Sequence, residues 1–281
     1  MNPASRARLE RVYSQHPLNA DAVIARVREE RGSIEGITAA HLAESATGGV
    51  TDQNHAGGAA AVRALAEALA LRPGWSVLDI GAGLGGAARL LAQEFGCRCH
   101  GVELTGSRFR DAVRLTKLVG LENQVTFSHG DFMSMELPGG PFDVAIGQGS
   151  FMHFSDLPAM LQKVAAYLRP GGRLAVEDGV LLSRPYGRAE QEALSELLHH
   201  WNGEFRRQDE WPRLLEEAGF RFDGMTDLTS IAASDLQDLL QRATGEQLTG
   251  VTEEERRGWR LGLQLSRSGH LGTVRILATR T

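Results

Sequence analysis

The 281-residue sequence holds only two cysteines, Cys97 and Cys99. Two apart in one extended stretch, they share a face and lack the geometry of a mutual disulfide, so they are expected as small buried strand residues. A structural zinc site would need more ligands than that neighbourhood offers, and His199-His200 with Glu204 match no metal spacing, so no metal is expected. No apolar run reaches the roughly 18 residues of a membrane span, and Met1 to Arg8 lacks the apolar centre of a secretory signal. Basic excess is also missing: the formal net charge is -5, which gives no general footprint for nucleic acid despite the local pair Arg206 and Arg207. Repeats and low-complexity tracts are absent. What remains is a cytoplasmic globular protein with a small-molecule partner, no nucleic acid and no membrane, and with a homo-oligomer left open.

Hydrophobic residues make up 42% of the chain and charged ones 23%, enough for a core and a pocket. From Ser76 onward apolar runs alternate with helical patterns: Ser76-Ile80, Ala87-Phe95, Cys97-Glu103, Arg108-Val119, Val125-His129, Phe142-Gly147, Leu157-Leu168 and Arg173-Asp178. Such a series predicts an α/β fold, a doubly wound parallel sheet whose crevice lies at the carboxyl ends of its strands. Gly96, Gly120 and Pro170-Gly171-Gly172 punctuate it where helices should stop. Residues 1-70 read as a helical N-terminal lid, broken at Gly32 and over Ser45 to Gly58. Residues 71-182 form the core, and 183-281 add substrate-side helices and the final strands of the same sheet.

The densest chemical signal is Val77-Leu78-Asp79-Ile80-Gly81-Ala82-Gly83-Leu84-Gly85-Gly86, a buried strand running into a glycine-rich turn and a helix. Gly81, Gly83 and Gly86 satisfy G-x-G-x-x-G, so a nicotinamide or flavin dinucleotide competes for this turn, as does a tight turn with no ligand at all. Asp79 shifts the balance, since a carboxylate just before the first glycine repels a pyrophosphate but suits a sulfonium ligand with a cationic amino group. Glu103, twenty positions after Gly83 at a strand end, can accept both ribose hydroxyls of an adenosine. Asp131 can accept an adenine amino group while Phe132 walls the ring. Gln148 ends the fourth strand, where its amide can meet the ligand's amino-acid end or the transfer site.

The order of Asp79 to Gly86, Glu103, Asp131-Phe132, Phe142 to Gln148 and Leu168 to Leu174 resembles the class I S-adenosylmethionine-dependent methyltransferases over roughly Leu71 to Leu182. Asp52-Gln53-Asn54-His55-Ala56-Gly57-Gly58, Gly83 to Arg89, Val102-Glu103-Leu104-Thr105 and Met152-His153 are similar to the sarcosine and dimethylglycine type of small-molecule N-methyltransferase. Ala87 departs from that pattern, where a proline is common. The resemblance implies a Rossmann-like seven-stranded sheet whose last strand, Gly272 to Thr279, runs antiparallel. It also implies S-adenosyl-L-methionine as cofactor, held by Asp79, Gly81, Ala82, Gly83, Glu103, Leu104, Asp131, Phe132 and Gln148.

Methyl transfer from a sulfonium is an in-line displacement, so aligning the acceptor is the main task. His153, just past the fourth strand, is the candidate base or orienting group, and Gln148 the second catalytic candidate, with nitrogen slightly favoured over oxygen or carbon as acceptor. His55 could face the cofactor from the lid, and His129 should meet solvent. Tyr13, Tyr186, Trp201 and Trp211 could wall an acceptor site or simply pack. Two other classes stay open, an NAD-dependent oxidoreductase and a noncatalytic adenosylmethionine-binding protein.

Overall fold

The structure, a computed structural model, describes all residues except 1, 2, 15, 183, 185 and 245-250. Met1 and Asn2 of the expected lid and Ser183 at the start of the C-terminal part therefore lie outside the described residues. Four helices come first: α1 (Pro3–Ser14), α2 (Ala20–Arg31), α3 (Ala39–Ala43) and α4 (Gly58–Ala68). The alternating core follows as β1 (Ser76–Ile80), α5 (Gly86–Phe95), β2 (Arg98–Glu103), α6 (Gly106–Leu118), β3 (Val125–His129), β4 (Phe142–Gln148), α7 (Leu157–Tyr167) and β5 (Leu168–Leu181). The chain closes with α8 (Arg188–Trp201), β6 (Arg206–Arg207), α9 (Trp211–Glu217), β7 (Phe220–Asp227), α10 (Thr229–Thr244), α11 (Glu253–Arg267) and β8 (Leu271–Arg280).

The main path of the sheet is β3-β2-β1-β4-β5-β8-β7, with the two-residue β6 added beside β5. β1 to β5 run parallel, and β8 lies antiparallel between β5 and β7. The seven-stranded α/β expectation with an antiparallel final strand is thus met, and β6 is the addition: two residues carry too little pattern to be seen in sequence. β5 also begins earlier than its apolar run, because Leu168 pairs with Phe142 and the Pro170-Gly171-Gly172 segment sits within the strand as a register shift. α10, the longest helix among the described residues after β7, runs from Thr229 to Thr244.

Side-chain alternation sorts the strand residues between two faces. Leu78, Ala145, Leu174 and Val176 point toward α7 and α9, packing with Leu161, Val164, Trp211 and Leu215. Val77, Val144, Ile146 and Ala175 point the other way, onto Val62 and Leu65 of α4 and Leu90 and Leu91 of α5. Cys97 and Cys99 are free and buried on this second face. Gly96 caps α5 in the left-handed conformation at φ 67°, the stop that its position predicts.

Ser45 to Gly58 is polar yet firmly held. Arg26 of α2 donates to the carbonyls of Leu42, Glu44 and Val50 at 2.6 to 2.9 Å. Deeper in, Arg89 of α5 is fully buried and pairs at 2.8 Å with Asp52, itself buried. The same guanidinium donates to the carbonyls of Leu84 and Ala112 and to the Thr116 hydroxyl, so one side chain joins the segment before α4, the glycine turn and α6. Gly86 is required beneath this contact, since a Cβ there would lie 2.5 Å from the Asp52 carbonyl oxygen. Removing one partner of a buried pair strands the other charge, which typically costs about 3–5 kcal/mol. Asp52→Ala should lose stability on that scale in urea unfolding, whereas Asp21→Ala, from an exposed pair with Arg114, should lose less than about 1 kcal/mol.

Candidate active site

The parallel register brings the carboxyl ends of β1, β2 and β4 side by side and opens one cavity above them. Asp79, Gly81, Ala82 and Gly83 line it from the first turn, Glu103 and Leu104 from the end of β2, Asp131 and Phe132 from the loop after β3, and Gln148 and His153 from beyond β4. Every residue singled out from sequence for cofactor or catalysis therefore meets in one place. Gly81 is needed there for two reasons. Its φ is 78°, and a Cβ would sit 2.4 Å from that of Ser150, whose hydroxyl donates at 2.6 Å to the Ile80 carbonyl.

Polar groups in the cavity are unevenly satisfied. Glu103 accepts from the backbone N–H of Gly83 at 2.8 Å and of Thr105 at 2.7 Å, while burial pushes its pKa up. Asp79 is buried and Oδ2 has no partner; desolvation, with the Glu103 charge adding to it, raises its pKa to about 7. Gln148 donates to Glu177 at 2.6 Å and leaves Oε1 unpartnered. Arg108, buried at the start of α6, presents Nη1 and Nη2 to the cavity without acceptors. Among the described residues, half of the eight buried side-chain polar atoms lacking a partner thus belong to this one cavity, which marks it as a place built for a ligand.

Arg108 escaped the sequence reading. Its signal was the stripe Arg108, Ala112 and Leu115 on one face of α6, which buries a cation along with two apolar residues. The guanidinium lies 5.1 Å from the ring centre of Tyr13 on α1. Tyr13 in turn reaches His153, with 3.3 Å between its hydroxyl and Nε2. His153 Nδ1 lies 3.1 Å from the Asn202 carbonyl, an acceptor only, so Nδ1 carries the proton and Nε2 is the bare nitrogen that accepts from Tyr13. Burial lowers the pKa of His153 and raises that of Tyr13, keeping both neutral.

His55 does reach the cavity, its Nε2 3.0 Å from Gln53 Oε1 and its Nδ1 3.4 Å from the Gln148 amide nitrogen. His129 is exposed and donates to the Leu104 carbonyl at 3.1 Å. Of the four aromatics, Tyr13 lines this cavity and Trp201 a neighbouring one. Trp211 packs in the core under α9, and Tyr186 donates to the His270 carbonyl at 2.6 Å, so neither borders these cavities.

The sheet order and a glycine-lined cavity above it define a methyltransferase-type domain. A family model described as "Methyltransferase domain" matches residues 71–219, and the chain belongs to that family. It is 26% identical over 231 residues to phosphoethanolamine N-methyltransferase 1 of Zea mays, covering 80% of this chain and 45% of that protein. Over 117 residues it is 32% identical to the glycine/sarcosine/dimethylglycine N-methyltransferase of Actinopolyspora halophila, covering 42% of this chain and 21% of that one. Phosphoethanolamine N-methyltransferase 2 of Haemonchus contortus, solved with S-adenosyl-L-methionine, shares the fold with a TM-score of 0.71 at 18% identity, over 92% of this chain and 60% of that one. The chain spans less than half the length of the curated relatives it matches.

The raised pKa of Asp79 has a consequence for stability. Unfolded, this carboxyl releases its proton near 3.8; folded, it holds it to about 7. Between those values the folded chain binds more protons, so stability falls as pH rises. Asp79→Asn is free of that loss. Its stability in urea should gain on the parent by roughly 2–3 kcal/mol between pH 5 and pH 8.

Proposed function

We propose that this chain transfers a methyl group from S-adenosylmethionine to a small-molecule acceptor, with nitrogen favoured over oxygen or carbon. One observation carries the reading: in a methyltransferase-domain chain, the buried polar atoms without partners at Asp79, Arg108 and Gln148 converge on one glycine-lined cavity. A ligand with a cationic amino group, a carboxylate and ribose hydroxyls satisfies that set. A dinucleotide would instead place a pyrophosphate beside Asp79. The named N-methyltransferase relatives support nitrogen as the acceptor atom.

When bound, the cofactor supplies an electrophilic methyl and a neutral thioether leaving group. Asp79 takes the amino group, Glu103 the ribose, and Asp131 with Phe132 the adenine end, with Gly81, Ala82, Gly83 and Leu104 shaping the walls. Gln148, fixed by Glu177, orients the groups at the transfer site. His153 is held neutral with its lone pair toward Tyr13, so a proton leaving the acceptor passes to Tyr13 Oη as the tyrosine proton moves to His153 Nε2. α1 carries Tyr13 across the cavity, which keeps water from the reacting atoms.

Calorimetry with S-adenosylmethionine, S-adenosylhomocysteine and NAD in parallel tests this reading. The first two should bind and NAD should not; binding of NAD alone would sink it. Asp79→Ala and Glu103→Ala should each weaken adenosylhomocysteine binding by about tenfold or more, the loss of one charge-assisted contact. His153→Ala and Tyr13→Phe should leave that affinity within a few-fold and lower kcat by about 10²-fold if the pair moves the proton. Because Asp79 must ionise to take the amino group, cofactor affinity should rise with pH up to about 7 and level off above it. Proton release on binding, read from the buffer dependence of the calorimetric heat at pH 6, checks the sign.

A further inference from the structure

A second cavity of about 520 Å³ adjoins the first. Asn54, His55 and Gly149 line both, so it opens beside the end of β4, next to Gln148 and the transfer site. α10 forms one wall with Ala232, Asp235, Leu236 and Leu239 facing inward, spaced as one side of a helix. Trp201 and Phe205 form another, packed edge to face with ring centres 6.0 Å apart. That Trp201 wall is fixed from behind, because Gly258 and Gly262 of α11 lie against its indole.

Carboxylates outnumber cations in this cavity. Glu177 is buried and already paired with Arg275 at 2.5 Å, so it adds little net field. Asp178 accepts from the backbone N–H groups of Met152 and Gly179 at 3.0 and 2.8 Å, and no cation among the described residues pairs with it. Asp235 accepts from the Gly57 N–H at 2.5 Å, and burial raises its pKa, so a cation at this site would favour its ionised form. Arg242, the one arginine among the described lining residues, stands 3.9 Å from Asp238 and its charge also acts on Asp235. A phosphomonoester or carboxylate would meet Glu177, Asp178, Asp235 and Asp238 here against that one arginine.

Size points the same way. In a cavity of about 520 Å³, an acceptor the size of glycine or ethanolamine would leave most of the space unfilled. Aliphatic and aromatic walls instead suit a ligand with a sizeable apolar body. We infer that the acceptor is an amine carried on an apolar body and lacking phosphate or carboxylate, bound as the cation by Asp235 against the Trp201 and Phe205 faces before it passes a proton through Tyr13 Oη to His153 Nε2 and is methylated. This rests on the neighbouring cavity being the cofactor site, and it separates this chain from the phosphoethanolamine relatives by charge.

The test uses one apolar body with three charges: tryptamine, the alcohol tryptophol and the anion indole-3-propionate, with phosphoethanolamine beside them. Each is titrated calorimetrically into the whole protein, alone and saturated with S-adenosylhomocysteine. Tryptamine should bind at least tenfold tighter than tryptophol, and the two anions more weakly still. Asp235→Asn, which keeps an acceptor for Gly57, should cut the preference for tryptamine over tryptophol to within about threefold while adenosylhomocysteine affinity stays unchanged. The inference is overturned if indole-3-propionate or phosphoethanolamine matches tryptamine, if no member of the indole series binds, or if Asp235→Asn keeps the preference. Phosphoethanolamine binding to the adenosylhomocysteine-saturated protein that disappears in Arg108→Gln would place the acceptor's anion at the first cavity and also overturn it. Failure of adenosylhomocysteine to bind, with the amine preference intact, would instead remove the cofactor reading and leave the amine site standing.

Discussion

The buried pair of Arg89 and Asp52 is the contact on which the site depends. Arg89 belongs to the helix that starts at the glycine turn, and Asp52 to the polar segment that carries Gln53, Asn54 and His55. Their attraction, enclosed away from water, closes that segment over Gly86 and places His55 against Gln148. The guanidinium also ties down the carbonyl of Leu84 and two groups on α6, the helix that presents Arg108. A buried ion pair of this kind adds little net stability over an apolar pair of equal volume, but its loss is expensive, so its use here is positional. It fixes how the segment before α4 sits on α5.

Around that fixed point the protein keeps two environments apart. One cavity holds unpartnered polar atoms of both signs, Asp79 and Arg108 among them, and accommodates a ligand with both charges. The adjoining cavity is apolar with carboxylates and favours a cation. Asn54, His55 and Gly149 are their common wall, at the end of the strand where the two ligands have to meet. Neutral His153 and Tyr13 stand at the edge of this meeting point. Their desolvation lowers one pKa and raises the other, so both rest neutral and set no fixed charge beside the sulfonium before transfer.

Family membership and fold follow from residues 71 onward, where sequence pattern and three-dimensional position coincide. β1 and β3 begin and end where their expected strand runs do, and Gly96 and Gly81 adopt the left-handed conformations their neighbours require. The weaker readings fall where pattern is short or dominated by packing. β6 is two residues long, and β5 absorbs a Pro-Gly-Gly segment that on its own signals a turn.

The sequence by itself determined the doubly wound sheet, the glycine turn and the convergence of Asp79, Glu103, Asp131 and Gln148, because all of these sit at the ends of consecutive strands. Parallel strands place their carboxyl ends together, so spacing along the chain becomes proximity in space. Tertiary structure alone decided the rest. Tyr13 and His153 are 140 positions apart and meet only because α1 folds across the cavity. Arg108 is a surface residue by type and becomes a buried, unpartnered cation only when α1 covers α6. The cation-favouring cavity is assembled from the lid, β5, α8 and α10, whose mutual placement rests on long-range burial and one buried ion pair, and neither leaves a periodic trace in sequence.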